Sequence, residues 1–317
     1  MLTRRKFLSR TAATVSLGAA FAGAGRQDWF AADLQAAAPV SAGRFGFSLY
    51  GMKSLLLEQA IDACAKIGYD CIELPTMADW PAAPEKLSVD RRKQLSQQLS
   101  DRGLRLSALM ENILLLAEEK VHQLNVERLR AAGALGRDLS PQSMPVIETI
   151  MGGNPMMWES VKQQMVDRLG DWAKAAEETK AIIAIKAHVA GAAHLPEHIR
   201  WLLDQIRSPW IKAAFDFSHF QLRGVELKSA WEMLATDTVF IHIKDSIGDL
   251  KKFQFVLPGE GSVPYADYFK MIASSPSKAD VVIEVSGQLH NRSDYEPLTA
   301  AQKAFDNVAP HLRFLAG

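Results

Sequence analysis

Four apolar runs of this chain read AIIAIKAHVAG (residues 181–191), WIKAAFDFSHF (210–220), VFIHIKDS (239–246) and DVVIEVSG (280–287). Each run has the composition of a buried β-strand and carries an acidic or imidazole side chain at its C-terminal end. These side chains are His188, Asp216, His242 and Glu284. Because a charge contributes nothing to the packing of a buried strand, four such ends indicate strands that converge on one polar site.

The same alternation extends along the chain from residue 44. Other strand-like runs begin at Phe45, Tyr69, Leu104 and Met144, and each of the eight runs is followed by a segment with apolar residues three and four apart. Eight strand and helix pairs favour a (β/α)8 TIM barrel, which we predict as a single α/β domain over residues 44–317. An open doubly wound sheet is the alternative, but neither a GxGxxG nor a Walker sequence is present to support it.

Residues 1–24 have the outline of a cleavable secretory signal, in which basic residues come first and a short Ala- and Gly-rich apolar stretch follows. The adjacent Arg4 and Arg5 resemble the twin-arginine export signal, so we expect a periplasmic protein. An exposed basic N-terminus is the alternative interpretation. Residues 25–43 are predicted to be a linker. Removal of residues 1–24 would delete four basic residues and no acid, which takes the formal net charge from 0 to −4.

The composition argues against a nucleic-acid partner. Charged residues make up 23% of the chain and the formal net charge is zero, so there is no basic field to hold a phosphate backbone. We expect no membrane contact in the mature form. The two cysteines, Cys64 and Cys71, fall in a helix-like and a strand-like segment, which favours buried thiols over a disulfide. Apolar loops at residues 110–120 and 151–158 would cover a site or meet a second subunit of a homo-oligomer.

Two imidazoles and two carboxylates are suitable ligands for one divalent metal ion. Such a mixed set suits Mn²⁺, Zn²⁺, Co²⁺ or Fe²⁺ better than Ca²⁺ or Mg²⁺, which prefer oxygen ligands alone. His188, Asp216, His242 and Glu284 would leave coordination positions open for a substrate, as in a catalytic site. Two of these residues have a structural alternative, since His188 could simply end a strand and Asp216 could cap the following helix.

Four motifs follow one another in order: DFSHF (216–220), HIKD (242–245), PGEG (258–261) and IEVSG (283–287). In this order they resemble the xylose isomerase-like TIM barrels, a superfamily of sugar and sugar phosphate isomerases and epimerases that also contains AP endonuclease 2-like enzymes. The resemblance covers about residues 45–309. It implies one divalent ion, Mn²⁺ first, held by a fifth-strand acid, a sixth-strand Asp, a seventh-strand His and an eighth-strand Glu. The last three correspond to Asp216, His242 and Glu284, whereas Lys186 stands in the place of the first acid, with His188 two residues later.

The resemblance implies proton abstraction beside the carbonyl of a small sugar or keto-sugar, with Glu284 as the base. Glu148 is a second candidate base, and Lys186 is a candidate acid for an oxyanion or leaving oxygen. A structural ion pair between Glu148 and Lys186 is the alternative for both residues. Three further residues are expected to orient substrate hydroxyls or metal ligands, namely His219, Lys244 and Asp245.

Two other functions stay open. Because Lys186 replaces an acid that two-base epimerisation uses, a metal-dependent lyase or hydratase acting by β-elimination on an oxidised sugar or glycoside is one of them. The other is a non-catalytic binder of exported carbohydrate with aromatic stacking surfaces. The candidates for those surfaces are Trp80, Trp158, Trp201, Trp210 and Tyr295.

Overall fold

The computed structural model describes residues 43–315, in which eight parallel strands close into a barrel surrounded by helices. This confirms the predicted (β/α)8 TIM barrel. The predicted signal at residues 1–24 lies outside the described residues, as does the predicted linker up to residue 42. The barrel strands are β1 (Phe45–Ser48), β2 (Cys71–Pro75), β3 (Arg105–Asn112), β4 (Val146–Ile150), β5 (Ile182–Lys186), β6 (Ile211–Asp216), β7 (Thr238–Ile243) and β10 (Asp280–Ile283).

Each barrel strand pairs with the barrel strand before and after it in the chain, and β1 pairs with β10 to close the ring. The α-helices are α1 (Leu57–Ile67), α2 (Val89–Asp101), α3 (Glu119–Leu139), α4 (Trp158–Thr179), α5 (Pro196–Ile206), α6 (Phe217–Gln221), α7 (Leu227–Leu234), α8 (Tyr265–Ala273), α9 (Gly287–His290) and α10 (Pro297–Val308). No helix within residues 43–315 is both long and apolar enough to cross a membrane.

Two parts of the core lie on opposite sides of the barrel sheet, because alternate residues of a strand face opposite sides. A third, small cluster contains Val189, Leu222 and Phe255. The larger of the two parts lies between the helices and the outer face of the strands. The smaller of the two is a separate cluster that includes Ala184, Ala214, Phe240 and Val282. Each of these four residues lies two positions before a polar residue at a strand end and therefore on the same face of its strand. The polar strand ends thus lie above a small apolar layer inside the barrel.

A β-hairpin after the seventh barrel strand was not predicted from the sequence. The segment after β7 forms an antiparallel hairpin of β8 (Asp245–Asp249) and β9 (Lys252–Val256) before the chain enters α8. Gly248 has a φ of 90° in this hairpin, which is a conformation that favours glycine. The hairpin was missed because its strands lack the continuous apolar pattern of the barrel strands. The expectation for the cysteines is confirmed, since Cys64 and Cys71 are both free and buried.

Two glycine substitutions test how tightly the barrel is packed. A Cβ at Gly46 in β1 would lie 2.5 Å from both the carbonyl oxygen and the Sγ atom of Cys71 in β2. We expect Gly46→Ala to lower the free energy of unfolding by roughly 1–3 kcal/mol, because two paired strands would have to move apart. Urea unfolding followed by circular dichroism would measure the change.

Gly170 in α4 provides the matched control, because a Cβ there would meet no atom within 4 Å. We expect Gly170→Ala to raise the free energy of unfolding by up to about 1 kcal/mol, since alanine favours a helix interior. Equal unfolding midpoints for wild type and Gly46→Ala would contradict the close packing of β1 against β2.

Candidate active site

Six polar side chains from six strand ends or strand interiors meet at one end of the barrel. They are Glu73 on β2, Glu148 on β4, Lys186 on β5, Asp216 on β6, His242 on β7 and Glu284 directly after β10. Strand register places neighbouring members side by side. Asp216 is paired with His242, and the same histidine is paired with Val282, which lies two residues before Glu284. In a TIM barrel this end of the strands carries the active site.

Two groups of side chains are close enough to share an ion. The ligand atoms of Asp216, His242 and Glu284 lie within 4.8 Å of one another, and so do those of Glu73, Glu148 and His242. Three of the four predicted ligands are therefore brought together. The fourth predicted ligand, His188, belongs to neither group.

His188 instead lies against a second histidine. Its ring centroid is 4.4 Å from that of His219, and its Nδ1 accepts a hydrogen bond from the backbone N–H of Ala190 at 3.2 Å. Burial, followed by repulsion from Lys244, lowers the pKa of His188 to about 4. The ring is thus neutral at neutral pH. Its predicted role as a metal ligand stays a prediction.

His242 is the member common to both groups, and its environment determines where its proton lies. Nε2 is 2.9 Å from Oε2 of Glu73, while Nδ1 is 3.1 Å from Oε2 of Glu284. Both nitrogens face a carboxylate oxygen, but Nδ1 also lies 2.9 Å from Nζ of Lys186, which can only donate. We therefore assign the ring proton to Nε2 and the lone pair to Nδ1. A carboxylate that holds a histidine in this way is the usual outer partner of a metal ligand.

Two lysines lie among these donors. Nζ of Lys186 is 2.9 Å from Nδ1 of His242, 3.1 Å from Oε2 of Glu284 and 2.9 Å from Oε1 of Glu148. Nζ of Lys244 is 2.5 Å from Oδ2 of Asp216 and 2.8 Å from Oε2 of Glu284. The ion pair considered as the alternative for Glu148 and Lys186 is therefore present.

The network separates the proton affinities of its members. Burial raises the pKa of Glu284, but Lys186, Lys244 and His242 lower it by more, so the net shift is well below the usual value. For Glu148 burial dominates, and its pKa is raised despite Lys186. Glu284 is therefore ionised at neutral pH, and Glu148 is the carboxylate that takes up a proton more readily.

The pKa values of Lys186 and His242 are both raised by the carboxylates around them. Burial lowers the pKa of Lys186, but Glu148 and Glu284 raise it by more, and the net shift is strongly upward. Burial likewise lowers the pKa of His242, while Glu73 and Glu284 raise it, to about 9. A pKa of about 9 would leave the ring protonated at neutral pH, whereas the 2.9 Å contact between Nζ and Nδ1 needs an acceptor, which a protonated ammonium group cannot be. Because the contact is direct, we assign the proton to Lys186, so that His242 is a neutral, unusually basic imidazole.

Asp216 combines the site role with the capping role that the sequence left open. Its Oδ1 accepts hydrogen bonds from the backbone N–H of Ser218 at 3.2 Å and from the Ser218 hydroxyl at 2.6 Å, at the start of α6. Its Oδ2 contacts Lys244 and lies 3.5 Å from Nε2 of His219. Burial raises the pKa of Asp216, but Lys244 and then His219 lower it by more, so the net shift is downward and the carboxylate is ionised.

The three residues expected to orient substrate have different surroundings. His219 is buried, and its Nδ1 accepts from the backbone N–H of Val189 at 3.3 Å. Asp245 is also buried, and its two oxygens accept backbone N–H groups of Gly259 at 2.7 Å and Val263 at 2.9 Å. Asp245 thus anchors the loop that contains the PGEG motif. Contact of these residues with a substrate stays a prediction.

Glu73 is a site residue that the sequence analysis missed. It lies in the run CIELP of β2, is fully buried, and holds Nε2 of His242. A carboxylate inside a fully apolar strand was the available signal, and it is the same signal that identified Glu284. Glu73 went unnoticed because the partner that explains it is 169 residues away in the chain.

The donor atoms suit a divalent ion. One imidazole and two ionised carboxylates form a mixed nitrogen and oxygen set of the kind that Mn²⁺, Zn²⁺, Co²⁺ and Fe²⁺ bind. Oε1 of Glu73 and Oε2 of Glu148 are buried without a hydrogen-bond partner in the described part of the chain. Buried carboxylate oxygens without a donor are costly, so a cation nearby would stabilise them.

Comparison with known proteins agrees with this architecture. The family model described as xylose isomerase-like TIM barrel matches residues 61–309. No relative was found by sequence among the curated proteins. Among solved structures, the IOLI protein with a bound zinc atom has a TM-score of 0.70 at 18% identity, covering 84% of this chain and 99% of that one.

Two other solved structures belong to enzymes of different reaction types. The 3-keto-D-glucoside 4-epimerase from E. coli has a TM-score of 0.66 at 12% identity, over 84% of this chain and 99% of that one. The probable 3-DHS dehydratase of petrobactin synthesis from Bacillus anthracis has a TM-score of 0.68 at 14% identity, over 83% and 98%. At these identities the structures have the fold in common with this chain.

The ion pair between Glu148 and Lys186 makes a prediction about stability. We expect Lys186→Met to lower the free energy of unfolding by about 3–5 kcal/mol, because Glu148 would be left buried and unpaired. The double variant Lys186→Met/Glu148→Gln should lose less, since neither partner then carries a charge. Chemical unfolding of the two single variants and the double variant would measure a coupling of at least about 1 kcal/mol.

Lys212→Met is the control, because Lys212 pairs with Asp237 on the partly exposed side of β6. Its cost should stay within about 1 kcal/mol. Strictly additive effects of the Lys186 and Glu148 substitutions would contradict the direct pairing of these two residues.

Proposed function

Because the chain belongs to the xylose isomerase-like TIM barrel family, we propose that it is a divalent-metal-dependent isomerase or epimerase of a sugar or keto-sugar. The observation that carries the proposal is the convergence of Asp216, His242 and Glu284 within 4.8 Å at the end of the barrel. The zinc in the IOLI protein and the keto-glucoside epimerase among the similar structures support the same assignment.

Asp216, His242 and Glu284 are the residues that would hold the ion. When bound, a divalent ion supplies a Lewis acid that polarises a substrate carbonyl and makes the neighbouring C–H more acidic. Mn²⁺ is the ion we propose first, and Zn²⁺, Co²⁺ and Fe²⁺ are compatible with the same donors.

Glu284 is the proposed base. Its side chain is 12% exposed, whereas those of Glu73, Glu148 and Asp216 are at most 1% exposed, so it is the cluster carboxylate that a substrate can reach. The neighbouring Lys186 and Lys244 keep it ionised, so it is free of a proton as a base must be, although the same charges lower its basicity. The same ammonium groups are placed to stabilise negative charge that develops on a substrate oxygen.

A metal-dependent lyase or dehydratase is the second candidate function. The observation that favours it is the arrangement around one atom, since both ammonium groups contact Oε2 of Glu284. One accessible base with acids beside it suits the loss of a proton and a leaving group by β-elimination, whereas epimerisation needs a second base on the opposite face. The dehydratase among the similar structures supports this alternative.

We further propose that the protein is exported by the twin-arginine route and acts in the periplasm. The support is the sequence of residues 1–24, with Arg4 and Arg5 before an apolar stretch. Export favours a neutral or oxidised sugar over a sugar phosphate as the substrate.

The exchange of Glu284 tests the proposed base. Glu284→Gln should reduce turnover of a keto-sugar substrate by about 10²–10⁴-fold, since the amide cannot accept the proton. A panel of keto-sugars and ketoglycosides in D₂O, followed by ¹H NMR, would also separate the two reactions. Deuterium at the carbon beside the carbonyl without loss of a group indicates isomerisation, and release of a leaving group indicates elimination.

Glu178→Gln is the matched control, because Glu178 is a surface residue of α4 that pairs with Arg130 and is not a member of the cluster. It should leave turnover unchanged. Full turnover by Glu284→Gln would overturn the assignment of the base.

Removal of metal is a separate test. Dialysis against a chelator should abolish turnover, and addition of Mn²⁺ should restore it. Sugar binding that persists without turnover in either state would identify a carbohydrate binder and overturn the proposed enzyme.

A further inference from the structure

The ligand group Asp216, His242 and Glu284 is already in contact with positive charge from the protein itself. Lys186 contacts His242 and Glu284, and Lys244 contacts Asp216 and Glu284. Every member of the ligand group therefore has an ammonium group as a hydrogen-bonding neighbour. A divalent ion and these ammonium groups would be attracted to the same atoms.

The contact with His242 is the one that cannot be shared. A neutral imidazole has one free lone pair, and in His242 that lone pair is on Nδ1, because Nδ1 faces the ammonium donor of Lys186 while Nε2 donates to Oε2 of Glu73 at 2.9 Å. Nζ of Lys186 is 2.9 Å from Nδ1 and uses this lone pair as its acceptor. A carboxylate oxygen has lone pairs for both a lysine and an ion, whereas Nδ1 can bind only one of them.

The net charge of the cluster is nevertheless compatible with a bound divalent ion. The cluster contains the carboxylates of Glu73, Glu148, Asp216 and Glu284 and the ammonium groups of Lys186 and Lys244. With all four carboxylates ionised and His242 neutral, these groups carry two excess negative charges. One divalent ion would balance them. The obstacle to binding is therefore the occupied lone pair and not an excess of positive charge.

Glu148 offers Lys186 a second partner within reach. Nζ of Lys186 is 2.9 Å from Oε1 of Glu148, whose Oε2 has no hydrogen-bond partner in the described residues. A small movement of the ammonium group towards Glu148 would release Nδ1 of His242 without leaving the lysine unpaired.

We propose that Lys186 and the divalent ion are mutually exclusive partners of His242, so that Lys186 closes the metal site until the ion displaces it onto Glu148. This inference rests on the metal site of the proposed function. It follows that wild-type protein binds the ion weakly and that removal of the lysine strengthens binding.

The test is the affinity of the purified protein for Mn²⁺ and Co²⁺. The variant is Lys186→Met/Glu148→Gln, in which both partners of the buried ion pair are neutral and folding is preserved as far as possible. Electron paramagnetic resonance of free Mn²⁺ would give the dissociation constant, and the d–d absorption of Co²⁺ would report the ligand geometry. We expect the double variant to bind Mn²⁺ at least about tenfold more tightly than wild type.

Three controls isolate the effect of the lysine. Glu148→Gln alone keeps Lys186 and should not show the gain, and Lys212→Met removes a lysine outside the cluster and should match wild type. Addition of His242→Gln to the double variant should cancel the gain, because the released lone pair is then absent. Circular dichroism and a thermal melt verify folding, and Lys186→Leu/Glu148→Gln is the second variant if the first double variant does not fold, since it also leaves no unpaired charge at Glu148.

The outcomes separate the two proposals. Tighter binding by the double variant, cancelled by His242→Gln, supports the competition. Equal Mn²⁺ affinity in wild type and both Lys186 variants overturns it and leaves the proposed metal site in place. Absence of Mn²⁺ and Co²⁺ binding in every variant overturns the metal site itself, and the competition with it.

Discussion

The carboxylate of Glu284 is the point at which the charges of the site meet. Its Oε2 atom lies 2.8 Å from Nζ of Lys244, 3.1 Å from Nζ of Lys186 and 3.1 Å from Nδ1 of His242. A buried carboxylate without such partners would be strongly destabilising, and two buried lysines would be equally so. The groups can be buried only because they neutralise one another.

This mutual neutralisation depends on the barrel. Each charged group is on a different strand or follows one, and only closure of the sheet brings the ends of β2, β4, β5, β6, β7 and β10 to one place. The apolar residues two positions earlier, such as Ala184 and Phe240, fill the barrel below the charges. The network therefore lies on an apolar layer, and its groups are on the strands or directly follow them.

The two lysines balance acidic groups of the cluster. In the proposed reaction they would also stabilise an oxygen that becomes negative. A site with metal ligands alone would depend on the ion for both purposes. In this chain Lys186 lies between Glu148 and Glu284, so part of the positive charge of the site is supplied by the polypeptide.

The fold could be predicted from the sequence because its signals are local. Apolar runs and helical periods of ten to twenty residues were sufficient to indicate a barrel, and the strand-end positions of Asp216, His242 and Glu284 were sufficient to indicate a shared site. The hairpin of β8 and β9 escaped notice because its strands are short, partly exposed and without a continuous apolar run. His188 shows the limit of strand-end reasoning, since it follows β5 by two residues and its ring lies beside His219.

The sequence by itself determined the barrel, the acidic and imidazole strand ends, and the presence of a lysine on the fifth strand. Only the tertiary structure decided that Glu73 holds Nε2 of His242 and that Lys186 contacts Nδ1 of the same ring. The reason is physical. Periodicity reports which face of an element is buried, whereas a hydrogen bond between residues 169 positions apart depends on the register of strands around a closed sheet.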